Sequence, residues 1–186
     1  MDGTIAVLPN ELTLVSEATT EPTAFAAIYD HYFPSIYNYV RYRVVDADIT
    51  DDLTAQVFEK ALVSLNGYHP ERGSFAVWLF TISRNVVNDH LRAKRRRRWL
   101  SLDILSGKAN TVSLPEETIM QNETRYELLQ AMTRLSDRER DLLALKFVAG
   151  LRNGRIAELT GLSQSNVGVI LYRAIRRLRV ELGTLR

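Results

Sequence analysis

The stretch GRIAELTGLSQSNVGVILYRAIRRLR, residues 154–179, decides the fold of this chain. Ile156, Ala157, Leu159, Leu162, Val167 and Leu171 recur at helical steps, but Gly161-Leu162-Ser163 breaks the run in its middle. The pattern predicts a short helix from about Gly154 to Thr160 and a corner at Gly161, where a left-handed backbone is tolerated. A longer helix follows from Gln164, with Ser163 placed to cap it. Two helices set at an angle around a shared apolar seam make a helix-turn-helix. The first turns of the second helix in such a unit enter the major groove, so Ser163, Gln164, Ser165, Asn166, Val169 and Arg173 are candidates to touch base edges or phosphate. The bland alternative is a helical hairpin within a bundle. Against it, Arg173, Arg176, Arg177 and Arg179 lie beyond the apolar seam, where a buried bundle helix would not place them.

Upstream, Ile119, Tyr126, Leu129, Met132 and Leu135 keep a helical period that Ser136-Asp137-Arg138-Glu139 interrupts with a serine-to-glutamate capping box. Leu142, Leu143 and Phe147 belong to the helix that this box opens and Gly150 can end. Between Trp99 and about Glu117 the period fades and Ser, Gly, Asn, Thr and Pro accumulate, which reads as an interdomain linker. The chain therefore divides into a flexible lead-in over 1–21, a first domain over 22–98, a flexible linker over 99–118 and a second domain over 119–186.

In the first domain Phe25, Ile28, Tyr29, Tyr32, Ile36, Tyr37 and Val40 form a helical stripe, which Pro34 should kink or divide. A second helix should begin near Asp48 or Thr50, with Ile49, Leu53, Val57, Ala61 and Leu65 as its stripe. After a Gly- and Pro-rich loop over 66–73, a third helix carries an apolar face of Phe75, Trp78, Leu79, Ile82 and Val86. Arg84, Asn88, Arg92 and Arg95 fall at helical spacing on another face, with Asn85, Asp89 and Arg96 beside them. A run of arginines at a helix end is commonly just a solvated terminus that suits the helix dipole. Asparagines and an aspartate among them add donors and acceptors that phosphate attraction does not require, which suggests base discrimination. Trp78, at core spacing, is read as packing rather than as a base-stacking platform. No strand-like alternation and no internal repeat appear, so both domains should be all-helical.

Composition narrows the possibilities. The chain has 186 residues with 46% hydrophobic content, enough to fill two small cores. Its formal charge is only +2, yet the segment from Glu123 to Arg186 carries about +5 while the first twenty residues are purely acidic. Two separate basic stripes suggest two contacts with one polyanion. Cysteine is absent, which excludes a disulfide framework and a thiolate site. The three histidines, His31, His69 and His90, have no metal-ligand partner at helical spacing, and no phosphate-binding glycine loop or nucleophile elbow is present. An enzyme lacks its ingredients here, and neither a cofactor nor a metal is expected. Without a membrane-length apolar run or a secretory start, the chain is read as cytoplasmic, with no membrane insertion.

Residues 25–96, with IYDHYFPSIYNYVRYRV, DDLTAQVFEKAL and GSFAVWLFTISRNVVNDHLRAKRR, resemble the second conserved domain of extracytoplasmic-function sigma factors of RNA polymerase, in the sigma-70 superfamily. Residues 123–183, with LSDRERDLLALKFVAGL and IAELTGLSQSNVGVILYRAIRRLR, resemble their fourth domain, in the family's order and separation. The resemblance implies a sigma factor that binds core polymerase, directs it to promoters and helps open the DNA. It implies that Asp51, Asp52, Leu53, Gln56, Val57 and Phe58 meet the clamp helices of the polymerase's largest subunit, with the flap as a second contact. Tyr68, Arg84, Asn85, Asn88, Asp89, Arg92, Arg95 and Arg96 would face the minus-ten element, the loop from Tyr68 to Gly73 forming a pocket wall for unstacked bases. An anti-sigma factor would be a further partner. This chain has Gly168 and Ile170 where the family commonly places basic side chains, and Asn153-Gly154-Arg155 where it has an aromatic-acidic entry. Contact with the minus-thirty-five element would then shift toward Arg155 and Arg173. The rival is a stand-alone helix-turn-helix repressor or activator, which would leave the Asn85 to Arg98 face without a purpose.

Overall fold

A computed structural model describes residues 8–100 and 119–184, with side chains over 8–97 and 125–183. Residues 101–118, most of the expected linker, lie outside the described residues. Among the described residues the elements are α1 (Glu11–Ala18), α2 (Phe25–Val44), α3 (Ala47–Val63), α4 (Phe75–Leu100), α5 (Ile119–Thr133), α6 (Asp137–Phe147), α7 (Asn153–Thr160) and α8 (Gln164–Thr184), with three short 3-10 turns and no strand. The all-helical, two-domain expectation is met.

In the first domain the stripe of α2 closes on α3 and α4, burying Ile28, Ile36, Val57, Ala61, Phe75, Leu79 and Phe80 completely. Helix α2 runs through Pro34 as one element instead of dividing. Proline removes one backbone hydrogen bond at a cost of about 3 kcal/mol, and burial of Ile28, Tyr32, Ile36, Tyr39 and Val40 on both sides of it offsets that cost. Helix α3 starts at Ala47, slightly ahead of the expected start, because Asp46 is its cap and accepts from the Ile49 N–H at 3.2 Å.

The lead-in departs from expectation. Its residues 11–18 form α1, which packs on α2 through Val15 and Ala18, and the buried Glu11 carboxylate accepts the Tyr32 hydroxyl. Two turns of helix give too few repeats for a period to stand out.

In the second domain the capping box forms in both halves, Glu139 N–H donating to Ser136 Oγ and Ser136 N–H to the Glu139 carboxylate at 2.8 Å. Gly150 and Gly161 take φ of 65° and 71°, ending α6 and α7 as anticipated. Ser163 Oγ accepts the Asn166 N–H at 3.2 Å and caps α8. Ile156, Val167 and Leu171 are buried where α7 meets α8, the seam read from the sequence.

Candidate nucleic-acid interface

Helix α4 divides its residues by face. Phe75, Leu79, Phe80, Val86 and Val87 point into the core. The Trp78 ring lies 5.2 Å from Phe75 and 5.7 Å from Tyr68, so this partly buried tryptophan packs against both rings. Asn85, Asp89, Arg92, Arg95 and Arg96 are exposed. Arg92 and Asp89 stand 3.4 Å apart in a solvent-screened pair that contributes little stability and leaves both groups free to exchange partners. Burial, then Lys94 and Arg97, holds His90 below its ordinary value and so against adding charge to this cationic end.

Arg84 and Asn88 break the pattern. Both were read as facing outward with the rest, but both are half-buried and engaged. Arg84 Nε lies 2.9 Å from Asp141 Oδ2 and its Nη1 donates to the Leu159 carbonyl at 2.8 Å, while Asn88 Oδ1 accepts from Arg43 Nη2 at 2.7 Å. The helical spacing that aligns these residues with Arg92 also brings Arg84 to the second domain and Asn88 to Arg43 of α2, which a single-helix projection does not reveal.

Before α4, the loop over 68–73 is held by aromatic packing. The Tyr68 ring meets Phe75 edge-on at 5.2 Å, and its hydroxyl donates to the Gly73 carbonyl at 3.2 Å. Burial, then Glu11 and Glu71, keeps that phenol above its ordinary value, so it remains a donor. Behind the loop, Phe75 contacts Tyr32, the partner of Glu11, so α1 backs the same wall. Tyr68, His69, Arg72, Gly73, Trp78 and Arg155 line a small crevice of about 200 Å³ here. Gly73 adopts φ 147°, which side chains rarely take. Gly73→Ala is expected to destabilise this loop by about 1–3 kcal/mol. Thermal unfolding should show the loss.

On the second domain Ser163, Gln164, Ser165, Asn166, Val169 and Arg173 are all exposed along the start of α8. Arg155 is less available than the sequence suggested. It pairs with Glu158, and its Nη2 lies 3.2 Å from where a β-carbon on Gly73 would stand. A methyl group at Gly168 would meet nothing nearer than Asn153 Nδ2 at 3.8 Å. Gly168→Ala should therefore stabilise α8 by up to about 1 kcal/mol, read as a higher unfolding temperature.

The set expected to meet the polymerase splits as well. Asp51, Asp52 and Gln56 are exposed on α3, but Leu53, Val57 and Phe58 are buried in the first core, Leu53 only 3% exposed. Their expected contact with a partner is corrected to a packing role, because their i+4 stripe faces α2 and α4. Sequence reading missed Tyr39, Arg43 and Asp141, which tie the domains together. Two signals were available: Arg43 continues the Tyr32–Ile36–Tyr39 stripe at i+4, and Asp141 directly precedes the apolar run Leu142 to Leu145.

Residues 28–97 match the family description Sigma-70 region 2, and residues 125–178 match Sigma-70, region 4. The chain is 32% identical over 162 residues to the ECF RNA polymerase sigma factor BldN of Streptomyces coelicolor, covering 85% of this chain but 60% of that relative. It is 29% identical over 168 residues to SigX, an ECF sigma factor of Bacillus subtilis, covering 87% of this chain and 85% of that protein. Its fold is similar to that of the sigma factor RpoE solved in complex with the anti-sigma factor NepR from Bartonella quintana, with TM-score 0.70, 19% identity and 87% and 98% of the two chains covered. A second similar structure, CnrH with the cytosolic domain of CnrY, gives TM-score 0.64 at 21% identity, covering 92% and 96%.

Proposed function

This chain belongs to the sigma-70 family of RNA polymerase sigma factors, in its extracytoplasmic-function branch, and on that premise we propose that it binds core polymerase, directs it to specific promoters and helps open the DNA for initiation. The observation that carries the proposal is the pairing, in one chain, of a polar and cationic face on α4 with an exposed recognition helix at the start of α8. One face supplies cations for a strand backbone and amides for base edges, and the other offers Gln164, Asn166 and Arg173 to a major groove. Tyr68 and the loop to Gly73 offer the wall against which an unstacked base can be held, and Asn85, Asp89, Arg92, Arg95 and Arg96 offer the adjoining contacts. Arg84 joins them once released from the second domain, and Asn88 once released from Arg43. Residues 22–98 are assigned to polymerase and minus-ten binding, 119–186 to the minus-thirty-five element, and 99–118 to the tether. Asp51, Asp52 and Gln56 present the exposed edge of α3 to the clamp helices, with the flap meeting the second domain.

The work is cytoplasmic, catalysis stays with the polymerase, and an anti-sigma factor is a natural partner. Among the described residues no helix is long and apolar enough to cross a membrane. A gel shift separates this reading from a stand-alone regulator. The free chain should bind promoter duplex weakly and gain specific affinity only with core polymerase, whereas tight specific binding without polymerase would favour the regulator.

A further inference from the structure

The two domains meet through a polar latch centred on one carboxylate. Asp141 of α6 is only 6% exposed, and three groups of the first domain converge on it. The Tyr39 hydroxyl donates to Oδ1 at 2.9 Å, Arg43 Nε stands 3.2 Å from the same oxygen, and Arg84 Nε stands 2.9 Å from Oδ2. Arg43, 2% exposed, also donates to the Asp137 carbonyl at 2.8 Å. Burial and then Asp141 itself hold the Tyr39 phenol above its ordinary value, so it stays a donor. Beside this cluster the apolar side chains of the two domains pack into one continuous core where α2 meets α6, and Tyr42, Met132, Leu143 and Phe147 line an open groove of about 610 Å³ at its edge. The charged groups of the latch, unlike the apolar ones beside them, can return to water when the domains part.

The closed arrangement conflicts with promoter binding. The minus-ten and minus-thirty-five elements lie about 25 base pairs apart, or about 85 Å along duplex DNA, whereas Arg84 of α4 is hydrogen-bonded directly to Leu159 of the helix-turn-helix. The chain between Leu100 and Ile119 can reach about 60 Å when extended, which with the domains' own width accommodates that span. Arg84 is unavailable to DNA while the latch holds.

We propose that Asp141 is an autoinhibitory latch: it docks the second domain on Tyr39, Arg43 and Arg84, covers part of the minus-ten face, and must be displaced before both promoter elements can be engaged. The closure itself stands on the geometry, and its inhibitory consequence rests on the sigma-factor reading. DNA phosphate is the natural competitor, since it presents to Arg84 the same kind of oxygen anion that Asp141 does.

The test uses the full chain, which has no native cysteine, with a dye pair at Val63→Cys and Val180→Cys, both exposed and one on each domain. Single-molecule energy transfer in the free protein should show one dominant compact state. Asp141→Ala should lower the closed-to-open ratio by about a hundredfold or more, because two guanidinium groups lose their counter-charge. Asp141→Asn and Tyr39→Phe should shift it the same way by less, with circular dichroism unchanged. A wild-type chain already mostly open, or variants that keep their helicity and their compact state, would overturn the latch. If Asp141→Ala loses helicity, the two conservative variants decide. Transcription with core polymerase is the separate arm: opening without any promoter-directed transcription would fell the sigma reading and leave the latch standing, while equal open-complex rates for wild type and a demonstrably opened variant would overturn autoinhibition.

Discussion

Phe58→Ala is expected to destabilise the first domain by about 3–5 kcal/mol and to abolish association with core polymerase as a consequence. Phe58 is buried, with its ring centroid 4.6 Å from Tyr29, 6.3 Å from Phe33 and 6.4 Å from Phe25, so it joins α3 to α2. Removing it opens a cavity in the middle of that contact, and a small domain holds only about 5–15 kcal/mol in total. The comparison is Asp52→Arg, an exposed change on the same helix. It should leave unfolding within about 0.5 kcal/mol of wild type yet weaken polymerase retention. Thermal unfolding and a polymerase pull-down, run on both variants, separate the two causes. If Phe58→Ala melted normally but lost polymerase, that ring would touch the partner directly.

Arg92→Ala combined with Arg95→Ala should cost the holoenzyme about tenfold to a hundredfold in promoter affinity for each arginine that holds a phosphate. Both side chains are exposed on α4, and Arg92 has only a screened aspartate beside it, so their removal leaves the fold undisturbed. The salt dependence gives an independent reading. Each lost phosphate contact should lower the slope of log affinity against log salt by about 1. Filter binding across a salt series, with polymerase retention as the control, measures both; an unchanged slope would place these arginines away from the DNA backbone.

How much of this was legible in the sequence follows from the range of each interaction. The helix-turn-helix was read correctly because its determinants are local: Gly161 at the corner, Ser163 as cap, and the Ile156–Val167–Leu171 seam lie within a few turns of one another. The capping box at Ser136 and Glu139 is local in the same sense. Helix α1 was missed because two turns make no period, and its stability comes from Tyr32 and the surface of α2. Leu53, Val57 and Phe58 carried the right motif but the wrong exposure, since a family motif names a helix and only packing decides which side of it faces out. The least legible feature was Asp141, whose partners Tyr39, Arg43 and Arg84 lie 102, 98 and 57 residues away. No periodicity links groups so distant, although a charge abutting the apolar run Leu142 to Leu145 is itself a sign that a partner exists.

The most direct measurement is transcription by core polymerase with and without this chain on a library of randomised upstream DNA, sequencing the start of every transcript. Addition of the chain should create new start sites whose upstream sequences share two conserved blocks, one near minus ten and one near minus thirty-five. A start-site distribution identical to that of core polymerase alone, with the chain folded and present in excess, would contradict the account.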